Sequence, residues 1–430
     1  MMAVIAANGR NAALHVLADL EFGSRNLVHR GELEPTRDAH ARHFLGLAVT
    51  AGEHIVTPGF AAWSEGLVEV DDDLRQALEW SLSHHPRAET LRAAPGLFYH
   101  WYRVGQARQA AQWSARMLEG AADATPELQA WAHMAGTFAA NVLGDPEAAE
   151  LHSGEALRLL EGTGTVTARV MALFARAQWA FQIGNCREMA QLCRRALQIC
   201  DDEGRTWDRA GPLSLLGIAV LFESWDLDQA RRLVEDALPL HRRLGHIGGL
   251  TTINPLSPIL RRKGDLEGAE RAALQACAWA AGSGWEAQPL VFLAEVLVDR
   301  ADLDAARGTL RRALHRSVES GLEVWYRTAL RVLALVEARS GHPELSARLV
   351  GASGRNLPFY AQDPAVDAEI EATVRAALDG DTVARLEAEG FDMSDQEVLE
   401  LVEAPPFPSA GDDRGEKTPR RATGHVPAPG

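Results

Sequence analysis

Lysine is nearly absent from this chain: Lys263 and Lys417 are the only two among 430 residues, so 41 of the 43 cationic side chains are arginines. With so much Ala and Gly beside it, that bias is the mark of a GC-rich coding sequence rather than of a chemistry. Cysteine is scarce too, and four in 430 residues cannot make a disulfide framework. Cys186, Cys193 and Cys200 stand seven apart on one expected helix. Neighbours in that series lie roughly 10 Å apart along the axis, too far to share one metal ion, so small side chains buried in a helix seam are expected. No run reaches 18 uninterrupted apolar residues, and the first twenty residues lack a basic stretch leading into an apolar core. A membrane-spanning helix and a secretory leader are therefore not expected, and a cytoplasmic location is.

Positive charge is also in deficit. The net charge of −16 and a pI near 5.4 oppose a nucleic-acid or anionic-membrane surface, which needs clustered cations, so no direct nucleic-acid or membrane contact is expected. Catalytic signatures are missing as well: no HExxH, GxSxG or CxxC occurs, nor a GxGxxG between strand and helix. His40 and His43 have Glu53 and His54 nearby in sequence but no carboxylate at metal-ligand spacing, so they are expected to be surface or half-buried histidines. His84 and His85 end a helix, where cations are favoured. No catalytic residue, cofactor or metal is expected, and the chain reads as non-enzymatic.

What is present is a turn that returns every forty or so residues. It reads Gly105-Gln-Ala-Arg-Gln-Ala110, Gly144-Asp-Pro-Glu-Ala-Ala149, Gly184-Asn-Cys-Arg-Glu-Met189, Trp225-Asp-Leu-Asp-Gln-Ala230, Gly264-Asp-Leu-Glu-Gly-Ala269, Ala301-Asp-Leu-Asp-Ala-Ala306 and Gly341-His-Pro-Glu-Leu-Ser346, at intervals of 39, 40, 41, 39, 37 and 40 residues. A Gly able to turn left-handed ends one helix, and an Asp, Asn or Pro starts the next. Twelve residues after each turn start comes a second small residue, as in Ala156, Ala196, Ala237 and Ala313, giving the second helix a narrow face for close crossing. Each first helix carries apolar residues at helical spacing, more than one hairpin can bury. The expected fold is all-α, a right-handed solenoid of about seven tetratricopeptide (TPR)-like hairpins with a period near 40 rather than 34.

The expected organisation is an N-terminal segment at 1–36, a helical lead-in at 37–86 starting from a cap at Thr36, the repeat array at 87–358, a helical cap at 359–403 and a disordered, proline-rich tail at 404–430. In the cap, Ser394 and Glu397 have the spacing of a capping box.

Asp73-Leu-Arg-Gln-Ala-Leu-Glu-Trp-Ser81 and Phe98-Tyr-His-Trp-Tyr-Arg-Val-Gly105 resemble the start of the TPR-like region of large actinobacterial regulators of the signal-transduction ATPase (STAND) class. That class includes LuxR-type regulators and the antibiotic regulatory proteins. Ala347-Arg-Leu-Val-Gly-Ala-Ser353 and Gly390-Phe-Asp-Met-Ser-Asp-Gln-Glu-Val398 resemble the way such chains close, and Leu14 to Arg30 is similar to the end of the winged helix that precedes the array. The resemblance implies the sensor half of a transcriptional regulator, binding a partner protein or a small inducer. The family's ATPase and DNA-binding domains are not in this chain; Lys417-Thr418, the one Lys-Thr pair, sits in the tail with the wrong Gly spacing for a phosphate loop. A stand-alone interaction array is expected, with an N-terminally truncated regulator as the alternative.

In TPR-like arrays the first helices build the concave face, at about 13, 10, 6 and 3 residues before the turn. Here those positions give Trp131, Met134, Phe138 and Asn141; Phe174, Gln178 and Phe181; Phe222; Asn254 and Arg261; Glu295; and Arg331. The first half is aromatic and the second polar, a division suited to an amphipathic small effector or to a protein or peptide partner.

Overall fold

The computed structural model describes residues 28–104, 106–245, 248–354 and 364–404, without the side chains of Ala61, Tyr102, Arg103 and residues 248–254, Asn254 among them. Most of the winged-helix resemblance, the Gly105 turn and the tail with Lys417 lie outside the described residues. Among those residues there is no strand, and no helix is long and apolar enough to cross a membrane.

The lead-in comprises α1 (Leu33–Glu53), α2 (Phe60–Glu69), α3 (Asp71–His84) and α4 (Arg87–Leu91). Thr36 is not a cap. Helix α1 starts three residues earlier, and the Thr36 hydroxyl donates to the Glu32 carbonyl at 2.7 Å. Pro35 falls in the first turn, where a missing N–H has no intrahelical partner to lose. The acidic start of α3 does more than complement a helix dipole. Asp71 lies 2.6 Å from His100 Nε2, accepts from Gln106 at 3.2 Å and pairs with Arg75, fastening the lead-in to the first hairpin. Burial opposes its ionisation, but those hydrogen bonds outweigh it and hold the carboxyl below the usual range.

Seven hairpins follow: α5 (Ala94–Val104) with α6 (Ala107–Leu118), α7 (Pro126–Leu143) with α8 (Pro146–Leu159), α9 (Val166–Gln182) with α10 (Cys186–Asp202), α11 (Ala210–Glu223) with α12 (Leu227–Leu244), α13 (Gly248–Arg262) with α14 (Leu266–Ala280), α15 (Ala287–Asp299) with α16 (Leu303–Ser320), and α17 (Glu323–Arg339) with α18 (Pro343–Ser353). Their turns work as the sequence implies. Gly144, Gly184, Gly264 and Gly341 have φ of 73°, 78°, 79° and 81°. The next amide reaches back five residues, from Asp145 to the Ala140 carbonyl at 2.9 Å and from Asp265 to Leu260 at 3.0 Å. The carboxylates of Asp145, Asp226, Asp265 and Asp302 and the amide oxygen of Asn185 then cap the second helix. Trp225 and Ala301 occupy the glycine position and keep its left-handed backbone, at φ 56° and 60°.

The paired small residues form the seams: Ala149 with Ala156, Ala230 with Ala237, and Ala306 with Ala313 have no exposed surface. Cys186, Cys193 and Cys200 are buried on α10. Burial pushes the Cys193 thiol up to about 12 and Cys200 to about 11, so neither is a reactive thiolate at neutral pH.

The cap is α19 (Pro364–Ala377), α20 (Gly380–Phe391) and α21 (Asp395–Glu403), the last with the expected Ser394–Glu397 capping box. Helix α20 lies directly on α18 because both carry glycine at the crossing: a Cβ on Gly390 would stand 1.9 Å from the Arg348 carbonyl oxygen, and one on Gly351 1.9 Å from that of Glu387. The array also curls on itself. Helix α7 meets α17, and the Phe138 ring lies 6.1 Å from that of Trp285.

Candidate functional site

That curl encloses a chamber of about 760 Å³ walled by the first helices of six successive hairpins, α7 to α17. Three aromatic pairs stand around it: Phe138 with Trp285, Phe181 with Phe222 at 6.1 Å, and Phe292 with Trp325 at 5.4 Å. Leu215, Ile218 and Leu221 of α11 and Pro255 and Pro258 of α13 fill the wall between them. Such a size and lining suit a small molecule or a short peptide rather than a folded domain.

The polar groups comprise paired charges, uncharged carboxamides and Arg262, whose guanidinium lies by the Phe222 and Trp225 rings. Arg261 donates to Asp299 at 2.6 Å and lies 3.3 Å from Glu295, and Arg331 donates to Asp367 of the cap at 2.6 Å. These ions neutralise one another within the wall. Asn141 is different: its amide nitrogen and oxygen are both buried and have no hydrogen-bond partner among the described residues. A buried donor and acceptor left unpaired each cost roughly 1–3 kcal/mol, and because neither atom is exposed to the chamber's free space, a ligand satisfies them only once the side chain turns inward. Gln178, Gln182 and Gln288 add three more uncharged carboxamides to the same wall.

Of the twelve expected groove residues, the structure brings Phe138, Asn141, Gln178, Phe181, Phe222, Arg261 and Glu295 to this chamber. Met134 is fully buried in the core, and the Phe174 ring packs on Gly211, where an added Cβ would meet it at 2.8 Å. Trp131 is only 3% exposed and borders a separate concavity of about 780 Å³. Arg331 lines a neighbouring void of about 40 Å³ with Arg261, Glu295 and Asp367.

The departures share one cause, the twist of the solenoid. Counted back from each turn, the chamber takes positions 6 and 3 from α7 and α9, positions 13, 9 and 6 from α15, and positions 16 and 13 from α17. Its axis crosses the helices obliquely, from their C-terminal ends in early hairpins to their N-terminal ends in late ones, so one set of offsets cannot serve all. For the same reason the expected split into aromatic and polar halves does not hold: Trp285, Phe292 and Trp325 bring aromatics from the later hairpins. Those three, with Gln182 and Trp225, stand off the fixed offsets, whereas Gln288 stands 13 before the Ala301 turn, at one of those offsets, without being among the expected residues.

The concavity at Trp131 is built from loops and helix starts, and most of its polar groups pair with one another: Arg205 donates to Asp208 and to Thr167, both at 2.9 Å, and the Thr165 hydroxyl donates to Glu127 at 2.6 Å, while the second carboxylate oxygen of Asp208 is buried without a partner among the described residues. His40 lies 3.0 Å from Asp73 Oδ1, linking α1 to α3.

No family model matches the chain, and no curated protein matches it in sequence. Solved structures do resemble it. A Rap protein complexed with competence and sporulation factor is 13% identical over 86% of this chain and 99% of that one, with a TM-score of 0.51. A signal transduction ATPase with numerous domains (STAND) carrying a tetratricopeptide repeat sensor, from Pyrococcus horikoshii, is 11% identical over 79% of this chain, also with a TM-score of 0.51. The match covers 53% of that chain, about half its length. At these identities the likeness shows the fold: this chain is an all-α solenoid of TPR-like hairpins.

Proposed function

We propose that this protein is a non-enzymatic sensor whose chamber captures a compact ligand, an amphipathic small molecule or short peptide, and that the array passes the bound state to a partner in transcriptional or signal-transduction control. The observation that carries the proposal is the chamber of about 760 Å³, with the unpaired carboxamide of Asn141 buried in its wall. The similar Rap protein is complexed with a competence and sporulation factor, and the similar STAND protein uses its TPR part as a sensor; both favour sensing over catalysis. Because that STAND protein is about twice the matched length, the sensor part of a longer LuxR-type regulator is a second reading. An ATPase domain in frame ahead of Met1 decides for it.

The test is a thermal-shift screen of short peptides and small amphipathic molecules. A ligand present at a hundred times its Kd stabilises the fold by roughly 2.7 kcal/mol. The expected result is a hit whose shift is lost in Gln178→Trp, which fills the chamber, and reduced in Asn141→Ala. Hits that shift all three proteins equally would place binding elsewhere.

A further inference from the structure

We infer that Trp225 is a ligand-contact residue selecting a flat aromatic group with an anionic substituent, an inference that rests on the chamber being the ligand site. The backbone is the first observation. At the turn ending each first helix, four of the described hairpins have glycine; Trp225 holds the same left-handed conformation, at φ 56°, with a bulky side chain. That conformation is costly for any residue with a Cβ. The side chain recovers little by packing, being 61% exposed. Ala301 adopts the same geometry with a methyl group outside the chamber, so the turn needs no ring.

What the indole does is line the chamber mouth. The Arg262 guanidinium lies 5.2 Å from the centre of the Trp225 ring and 5.2 Å from that of Phe222, so cation and rings form one rim. A strained backbone that holds an exposed aromatic at a cavity is the pattern expected when strain is retained for binding. A planar π surface beside a guanidinium suits a flat ring that stacks on the indole and carries negative charge towards the cation.

The probe is the fluorophore anilinonaphthalene sulfonate, whose naphthalene is a flat ring system carrying an anionic sulfonate, titrated into the full-length protein. Trp225→Gly is expected to melt no lower than the parent, because glycine relieves the strain, yet to bind the dye about tenfold or more weakly, as loss of an interface anchor does. Trp225→Phe keeps a ring and is expected to retain most of the affinity. Ala301→Gly, the same relief away from the chamber, should leave dye binding unchanged. Gln178→Trp locates the dye, with Gln288→Trp in its place should the first not fold. Parent-like binding by Trp225→Gly, with binding abolished by the filled chamber, overturns the role of Trp225 and leaves the ligand reading intact. Binding that survives the filled chamber removes the ligand reading and this inference together, whereas no binding by the parent protein removes this inference alone.

Discussion

His133 and His152 face each other across the α7–α8 hairpin with their Nδ1 atoms 3.0 Å apart, beside Gly136, where a Cβ would stand 2.9 Å from the His152 ring. One ring donates and the other accepts, so the accepting ring must be neutral, and protonating both would break the bond. Burial, with the neighbouring His152 and Arg158 adding to it against Glu155, pushes His133 down to about 4; burial also lowers His152, against Asp145. With the folded value below the ordinary one near 6.5, the unfolded chain takes up its proton first as pH falls. This contribution is complete above about pH 6.5 and is lost between there and about pH 4, worth roughly 1–3 kcal/mol for a partly exposed group. Melting temperature measured across that window should fall less steeply in His133→Gln than in the parent. Equal slopes would show that the pair does not titrate on unfolding. None of this was legible in the sequence, because His133 and His152 meet only through the tilt of two helices. The left-handed backbone at Trp225 and Ala301 was legible, since both stand where aligned turns carry glycine.

Among the elements, hairpins were read well because their signals are local: a left-handed residue, a capping side chain, and an Ala pair seven apart. Helix α13 shows where propensity fails. It holds Pro255 and Pro258 in its interior, each an expense of about 3 kcal/mol on intrinsic scales, yet the repeat requires a helix there and tertiary packing supplies it. Helix α1 shows the opposite error, since Thr36 looked like a cap but bonds back within the first turn. The crossing of α18 and α20 gives a sharp stability test. Gly390→Ala drives a methyl into the Arg348 carbonyl and should cost roughly 1–3 kcal/mol or more, as should Ala237→Trp in the α12 seam. Gly154→Ala, mid-helix on α8 with nothing within 4 Å of the added carbon, should instead add about 0.5–1 kcal/mol. Thermal melts that fail to separate Gly154→Ala from the other two would contradict the packing described.

The whole molecule is where the sequence said least. A period near 40 announces a solenoid, but closure depends on how much each hairpin rotates on the last, a quantity no single repeat records. The rotation brings α7 against α17 and turns a concave face into a chamber. It also shifts the lining along the helices, so Asn141 and Glu295 were found by counting from the turns while Trp285 and Trp325 were not. The charges read as a ligand's polar anchor proved to be committed within the wall, Arg261 to Glu295 and Asp299. Asn141, whose carboxamide is buried and unpaired, and Arg262 at the rim are left as polar contacts. The most direct measurement is a crystal structure of the protein with a ligand taken from the thermal-shift screen. The expected result is that ligand inside the chamber, within reach of Phe138, Phe222 and Trp325, with the Asn141 carboxamide turned inward to hydrogen-bond it. A ligand seated instead in the outer concavity at Trp131 and Trp207, with the chamber empty, would contradict it.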